Sequence, residues 1–448
     1  MTEDIIAAIA TPPGRGSVGI IRVSGPRLDS LLRGLVGHAV PIPPRTAVLT
    51  DFCTDAGDLI DRGLVLFFPA PHSYTGEDVV ELQGHGGPVV TQLLLQRCFE
   101  LGARPAEPGE FTKRAFLNNK IDLAQAESIA DLIDAATAEA ARCAARSLQG
   151  EFSREITALV TALIELRAQV EATLDFPEDD ILLPEHAQIK RDLEKLRAKL
   201  KEVLAVSCQG SLLREGVRVV LAGQPNVGKS SLLNRLAGEN LAIVTDIPGT
   251  TRDAIRQMIS VQGVPLHIID TAGLREPRDE VENIGISRTW IEISKADIVL
   301  WISDAVRTET WTGIPEIQQR LPVGAAQIQV KNKIDLIEAQ PEKRILDETM
   351  EISISAKTGA GIDLLRTAIL DAAGWSRRGE GIYMARARHL QALREAANHL
   401  TQAIAHIGQI DLLAEELRLS QRALAEITGE FASDDLLGEI FSRFCIGK

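Results

Sequence analysis

The chain has 448 residues, of which 45% are hydrophobic and 25% charged. That is enough for about three domains with buried cores, and it excludes a small peptide or a disordered tail. Sixty-two acidic against 48 basic residues leave a net charge of −14, which excludes a basic coat over the whole surface and leaves room only for a local basic face. Aromatic residues are 4% of the chain, too few for wide stacking platforms. The five cysteines, Cys53, Cys98, Cys143, Cys208 and Cys445, are scattered without a CxxC pair, the pattern of reduced thiols. The N-terminus carries acids where a signal peptide needs bases, and no apolar run approaches the roughly 18 residues of a membrane helix. The expectation is a cytoplasmic protein without a membrane segment.

Residues 1–118 are rich in Gly and Pro, with short apolar runs at Val18–Ile21 and Leu64–Phe68 and a helical stretch at Val89–Cys98. They predict an α+β domain. From residue 119 the pattern turns helical. Leu159, Leu163, Leu166, Val170 and Leu174 recur every three or four positions, as do Leu193, Leu196, Leu200 and Val203. Phe176-Pro177 and Leu183-Pro184 break the run into separate helices. Residues 215–374 alternate helices with the apolar runs Val217–Ala222, Leu266–Ile269, Ile298–Ile302 and Ile328–Val330, a parallel sheet covered by helices. Helical periodicity returns with Leu390, Leu393, Ala397, Leu400 and Ile404, then Leu436, Leu437, Ile440 and Phe444. The fold class expected is multidomain α/β: an N-terminal α+β domain (1–118) and a helical bundle (119–214 and 375–448) with an α/β domain (215–374) inserted into it.

The inserted segment carries the chemistry. Gly223-Gln-Pro-Asn-Val-Gly-Lys-Ser230 follows a predicted strand and opens a helix, the setting of a phosphate-binding P-loop. The N–H groups of Asn226, Val227, Gly228, Lys229, Ser230 and Ser231 would meet phosphate oxygens. Lys229 would neutralise the β- and γ-phosphates and Ser230 would hold Mg²⁺. Asp270-Thr271-Ala272-Gly273 follows the next strand, with Asp270 placed to reach Mg²⁺ through water and Gly273 to meet the γ-phosphate. Asn332, Lys333 and Asp335 form a guanine-reading motif, because a carboxylate accepting two N–H donors selects GTP over ATP. Ser355-Ala356-Lys357 would close over the base. Thr250-Thr251 falls where a switch loop gives Thr251 to Mg²⁺. Five elements in this order resemble the translation-factor-related class of small GTPases.

Leu274 stands where Ras-like proteins orient the attacking water with Gln. Another group must do so, and candidates lie in the acidic stretch Glu276–Glu282. No arginine finger is identifiable. A monovalent cation on the Asn226 side-chain carbonyl is a substitute source of positive charge.

Beyond these motifs the whole chain resembles the bacterial tRNA-modification GTPase family MnmE, also called TrmE. The resemblance rests on Thr11-Pro-Pro-Gly-Arg-Gly16, Glu81-Leu-Gln-Gly-His-Gly-Gly87, Arg114-Ala-Phe-Leu-Asn-Asn-Lys120, the nucleotide motifs and the terminal Phe444-Cys-Ile-Gly-Lys448. It implies modification of the wobble uridine of certain tRNAs to a 5-carboxymethylaminomethyl or aminomethyl form. It implies work with the FAD-dependent partner GidA (MnmG) in a heterotetramer, and a constitutive homodimer. The one-carbon unit would come from 5,10-methylenetetrahydrofolate or 5-formyltetrahydrofolate, bound in the N-terminal domain at Arg22, Glu81, Lys120 and Lys448, with Cys445 as a candidate participant. It also implies K⁺ held by Asn226 and by a loop Thr245-Asp246-Ile247-Pro248-Gly249-Thr250-Thr251, with Thr245, Ile247 and Thr250 as ligands, and Glu282 positioning the water. K⁺ would then draw two GTPase domains together.

RNA contact must be local. Arg377, Arg378, Arg386, Arg388 and Arg394 cluster after the GTPase segment, with Glu380 among them, and are candidates for tRNA phosphates or for an ordinary solvated helix face. Two other function classes compete: a GTPase switch in ribosome assembly, and a folate-dependent one-carbon transferase that GTP merely regulates. The absence of a Gly-x-x-Gly RNA module after the GTPase segment weighs against the first.

Overall fold

A computed structural model describes residues 4–36, 42–175, 186–238, 256–271, 289–307, 315–346, 349–376, 381–430 and 433–447. The chain divides into two compact units, Met1–Ala130 with Ala425–Lys448, and Asp131–Leu424.

The first unit holds a six-stranded sheet of β1 (Ile5–Ile9), β2 (Gly19–Gly25), β3 (Val48–Cys53), β4 (Leu59–Phe68), β5 (Asp78–Gly84) and β6 (Ala103–Pro105), in the order β3-β4-β5-β2-β1-β6. All pairings are antiparallel except β1 with β6. Side chains alternate across a strand, and both faces of this sheet are used. Ile21 and Val23 of β2 join Leu31, Leu35, Leu94 and Cys98 of helices Asp29–Val36 and Pro88–Glu100 in one core. Ile6 and Ala8 of β1 meet Ala106 and Phe111 on the other face. Arg22 therefore projects on the Ala8 side, since Ala8, Arg22 and Glu81 are register partners across three strands. Helix Asp434–Ser442 packs Leu437, Ile440 and Phe441 on Leu123 and Ala126.

The second unit is built on a seven-stranded sheet: β7 (Val217–Gly223), β8 (Arg256–Val261), β9 (Val264–Asp270), β10 (Ile298–Asp304), β11 (Ala326–Asn332), β12 (Glu342–Leu346) and β13 (Thr349–Ser353), ordered β12-β13-β11-β10-β7-β9-β8. Only β8 and β12 run antiparallel to their neighbours. The uninterrupted apolar runs follow from a sheet covered on both faces. Val219 and Leu221 of β7 enter one core with Ile298 and Leu300, while Val220 and Ala222 enter another with Val299 and Trp301. The four apolar runs expected there are β7, β9, β10 and β11. The outer strand β12 was not foreseen: its side chains are all exposed, so no alternation marks it.

Long helices accompany the sheet: Ala138–Leu148 and His186–Glu215 pack on it, and Glu151–Asp175, Ala387–Ala405 and Ile410–Thr428 complete the set. The periodic positions Leu159, Leu163, Leu166, Val170, Leu193, Leu200, Val203, Leu390, Leu393 and Leu400 are buried as the spacing predicted. The carboxylate of Asp131 (6% exposed) ties the two chain crossings into and out of the sheet: it accepts from Arg214 Nε at 2.8 Å, just before β7, and from Arg386 Nη2 at 2.8 Å, just before helix Ala387–Ala405. Beside it the Met384 N–H donates to Ser147 Oγ at 2.7 Å. A Cβ at Gly210 would lie 1.9 Å from the Tyr383 carbonyl, so only glycine lets the two segments cross there. No helix among the described residues is long and apolar enough to cross a membrane.

Candidate functional site

Strand β7 ends at Gly223, and helix Lys229–Ala237 begins six residues later. The turn between them needs positive φ at Asn226 (+66°) and at Gly228 (+96°), the helix N-cap. No side chain caps this end. The N–H groups of such a helix start are of the kind that binds phosphate oxygens. A Cβ at Gly228 would come within 2.4 Å of Asn332 Nδ2, so glycine is required by packing as well as by conformation. Lys229 is buried, and its Nζ donates to the carbonyls of Gly223 (2.7 Å) and Gln224 (3.1 Å), which stretches the side chain across the turn. Ser230 and Ser231 are exposed at the helix start, and Asn226 is exposed with no hydrogen bond among the described residues.

Asn332, at the end of β11 and 2% exposed, is the hub. Its Nδ2 donates to the Val227 carbonyl (2.8 Å), and its Oδ1 accepts from Lys333 N (2.8 Å) and Ala356 N (2.9 Å). Three separated segments are thereby fixed at one point. Asp335 accepts through Oδ1 from Ser355 Oγ at 2.6 Å, which fixes the orientation of the carboxylate. Lys333 Nζ donates to Asp304 Oδ2 at 2.7 Å, and that bond holds the Asp304 carboxyl below its usual range. Asp270 ends β9, and Thr271 Oγ1 donates to the Leu221 carbonyl at 2.8 Å, which locks the start of its motif to the P-loop strand. Thr245, Asp246, Ile247, Pro248, Gly249, Thr250, Thr251, Ala272, Gly273 and Glu282 lie outside the described residues.

A second constellation sits in the first unit. Arg22 donates to Glu81 Oε1 through Nε (3.1 Å) and Nη2 (2.9 Å) and to the Gly447 carbonyl through Nη1 (3.4 Å). The guanidinium lies 5.5 Å from the Tyr74 ring centroid and 5.9 Å from that of Phe111. The structure thus brings Arg22, Glu81 and the C-terminal segment together. The Cys445 carbonyl accepts from Gly109 N at 3.4 Å and the residue is exposed. Gly447 (φ +96°) passes so close to β1 that a Cβ would sit 2.4 Å from the Ile9 carbonyl. Lys120 Nζ donates to the Pro71 carbonyl at 2.9 Å, on the loop that carries Tyr74. Lys448 lies outside the described residues.

Sequence reasoning missed Tyr74 and Phe111, and missed the buried network in which Arg114 pairs with Asp4, Glu77 and Glu110 at 2.9–3.0 Å. The Glu110–Arg114 spacing of four was the available signal. Of the basic cluster, Arg386 is consumed by Asp131, Arg394 is exposed beside Glu395, and Arg377 and Arg378 lie outside the described residues.

Residues 5–120 match the family described as GTP-binding protein TrmE N-terminus, and residues 123–445 match MnmE helical domain. A tRNA modification GTPase MnmE of Nitrosomonas europaea is 59% identical over 458 aligned positions, covering 100% of both chains. Those of Aromatoleum aromaticum and Ralstonia nicotianae are 56% and 57% identical over 99% of this chain. With the Gly223–Lys229 turn and the Asn332 hub in place, these full-length likenesses show that the chain belongs to the MnmE family of tRNA modification GTPases.

Proposed function

We propose that this protein hydrolyses GTP in the service of wobble-uridine modification, as a K⁺-stimulated enzyme working with the FAD-dependent partner GidA. That it is a GTP hydrolase acting in tRNA modification follows from the family and from the site. The observation that carries the reading is the Asn332 hub. It holds the phosphate-binding turn, the base-reading carboxylate of Asp335 and the loop at Ser355–Lys357 in one rigid unit. A half-buried carboxylate placed this way penalises adenine, which offers it no matching pair of donors.

The finer steps are ours. Lys229 and the N–H groups of residues 226–231 bind the phosphates. The hydroxyls of Ser230 and Thr251 are hard oxygen donors suited to Mg²⁺, which would supply charge neutralisation at the transferring phosphoryl group. The exposed amide of Asn226, which has no hydrogen bond among the described residues, with Thr245, Ile247 and Thr250, suits a monovalent cation. Glu282 positions water in place of the Gln that Leu274 replaces. Pairing of two GTPase domains in a homodimer completes the site. In the N-terminal region Arg22, Glu81, Lys120 and Lys448 bind a tetrahydrofolate one-carbon donor. The cation–aromatic seating of Arg22 on Tyr74 and Phe111 supports a flat, charged ligand there. We place the GTPase domain at 215–374, inserted between helical segments 119–214 and 375–448, and the protein in the cytoplasm with tRNA as substrate.

The test is mass analysis of tRNA wobble uridines in a strain lacking the gene, paired with GTP turnover of the purified chain. Unmodified uridines restored by the wild-type gene support the reading. Normal uridines with stalled ribosomal subunits would transfer it to the competing role in ribosome assembly.

A further inference from the structure

The guanine-reading loop is held from two sides, and only one is the Asn332 hub. Residues 355–360 form a tight turn after β13. Ser355 N donates to the Ala360 carbonyl at 2.9 Å, and Gly359 N to the Ser355 carbonyl at 2.8 Å. Its inner groups face the site: Ala356 N bonds Asn332 and Ser355 Oγ bonds Asp335. Its outer groups, the carbonyls of Ala356 and Lys357, accept from Arg235, through Nε at 3.2 Å and Nη2 at 2.5 Å. The guanidinium lies against Gly359, where a Cβ would stand 3.6 Å from Arg235 Cζ.

Arg235 belongs to the last turn of the helix whose first turn opens the phosphate cradle. Arg366 fixes that last turn: its Nη2 donates to the carbonyls of Arg235 and Leu236, both at 3.3 Å, while Nη1 holds Asp363 at 3.1 Å. These carbonyls are among those a helix end leaves without partners. One short helix therefore binds phosphates at one end and braces the base loop at the other.

We propose that Arg235 is a positioning residue for guanine-nucleotide retention, acting through the Ala356 and Lys357 carbonyls rather than by touching the nucleotide. This rests on the GTP reading of the site. Charge-assisted bonds from an exposed side chain contribute modestly, so the effect is a change in residence time and not a loss of binding. Arg235→Ala should release a fluorescent GDP analogue about fivefold faster, which corresponds to about 1 kcal/mol. Arg235→Lys, which keeps one donor for the carbonyls, should fall between. The KM for GTP should rise while kcat at saturation stays within about twofold, since Lys229 and the phosphate cradle are untouched. Inorganic pyrophosphate, which engages the cradle alone, should compete equally well with wild type and variant.

The experiment is stopped-flow release of the GDP analogue from the full-length protein, with pyrophosphate competition and thermal unfolding without nucleotide as companions. Equal release rates for wild type and Arg235→Ala would overturn the brace. So would a parallel loss of pyrophosphate competition or a lowered unfolding temperature, since either makes Arg235 a general stabiliser. Failure of wild type itself to retain GDP would instead remove the GTP reading on which the brace depends.

Discussion

Asn332 and Val227 are joined by a 2.8 Å hydrogen bond across a sequence separation of 105 residues. The amide nitrogen of Asn332 donates that bond and its amide oxygen accepts from two N–H groups, so one buried side chain keeps the phosphate and base ends of the site at a fixed spacing. The amide carries its donor and its two-pair acceptor on separate atoms, so Asn332 can serve all three partners at once.

Asn332→Ala should therefore cost far more than an ordinary surface change. It strands a carbonyl and two N–H groups in a buried place, a loss of about 2–3 kcal/mol. Nucleotide titration should show at least a tenfold weaker GTP affinity, and thermal unfolding a lower midpoint. Affinity within twofold of wild type would contradict the hub.

Glu282→Ala should abolish GTP turnover and leave nucleotide binding intact, because the residue is assigned to water and not to phosphate or base. Exchange of K⁺ for Na⁺ should slow hydrolysis strongly, as the site proposed at Asn226, Thr245, Ile247 and Thr250 is one for the larger cation. Steady-state rates in the two salts, with binding measured alongside, decide both points.

Asp131→Ala leaves the guanidinium groups of Arg214 and Arg386 facing each other without their shared carboxylate. Breaking a buried pair by removing one partner costs about 3 kcal/mol. The measurement is calorimetric unfolding of the full chain, where a midpoint several degrees lower is expected and an unchanged midpoint would refute the clamp.

The N-terminal ion network makes a prediction about acid. Burial pushes the Glu110 carboxyl up, but bonds from Arg104, from Glu107 N–H and from Arg114 outweigh it and hold it below the usual carboxylate range. Asp4 is lowered in the same way against burial, by Arg104 and Arg114. A depressed folded-state pKa means stability that is present above the unfolded value and lost as pH falls through the folded one. The gap in unfolding temperature between wild type and Glu110→Gln should be constant from about pH 6 to 8 and shrink below about pH 4. A gap that widens in acid would reverse the assignment.

Burial raises the Cys98 thiol to about 12 and that of Cys143 to about 11, while Cys445 is exposed. The thiolate is the reactive form. Brief alkylation of the native protein followed by peptide mass mapping should mark Cys445 and spare Cys98 and Cys143. Early labelling of either buried thiol would contradict its packing.

Much of this was legible in the residues. The strands β7, β9, β10 and β11 are short apolar runs whose hydrophobicity is continuous because both faces are covered, and the helical stripes at Leu159–Val170 and Leu390–Leu400 follow local periodicity. Gly223–Ser230 declares its turn because only certain residues adopt the backbone it needs. The remaining elements hid for physical reasons. Strand β12 buries no side chain, and β1 is apolar throughout because its residues are shared between two cores, so no alternation marks it.

The sequence by itself determined which residues carry the nucleotide motifs, because those motifs are local and their spacing is set by one turn and one helix. Only the tertiary structure decided what holds them. Arg22 meets the Gly447 carbonyl across 425 residues, Arg386 gives its charge to Asp131, and Arg235 braces a loop 121 residues away. Such pairings depend on strand order and on how helices cross, and no local pattern of residues encodes them.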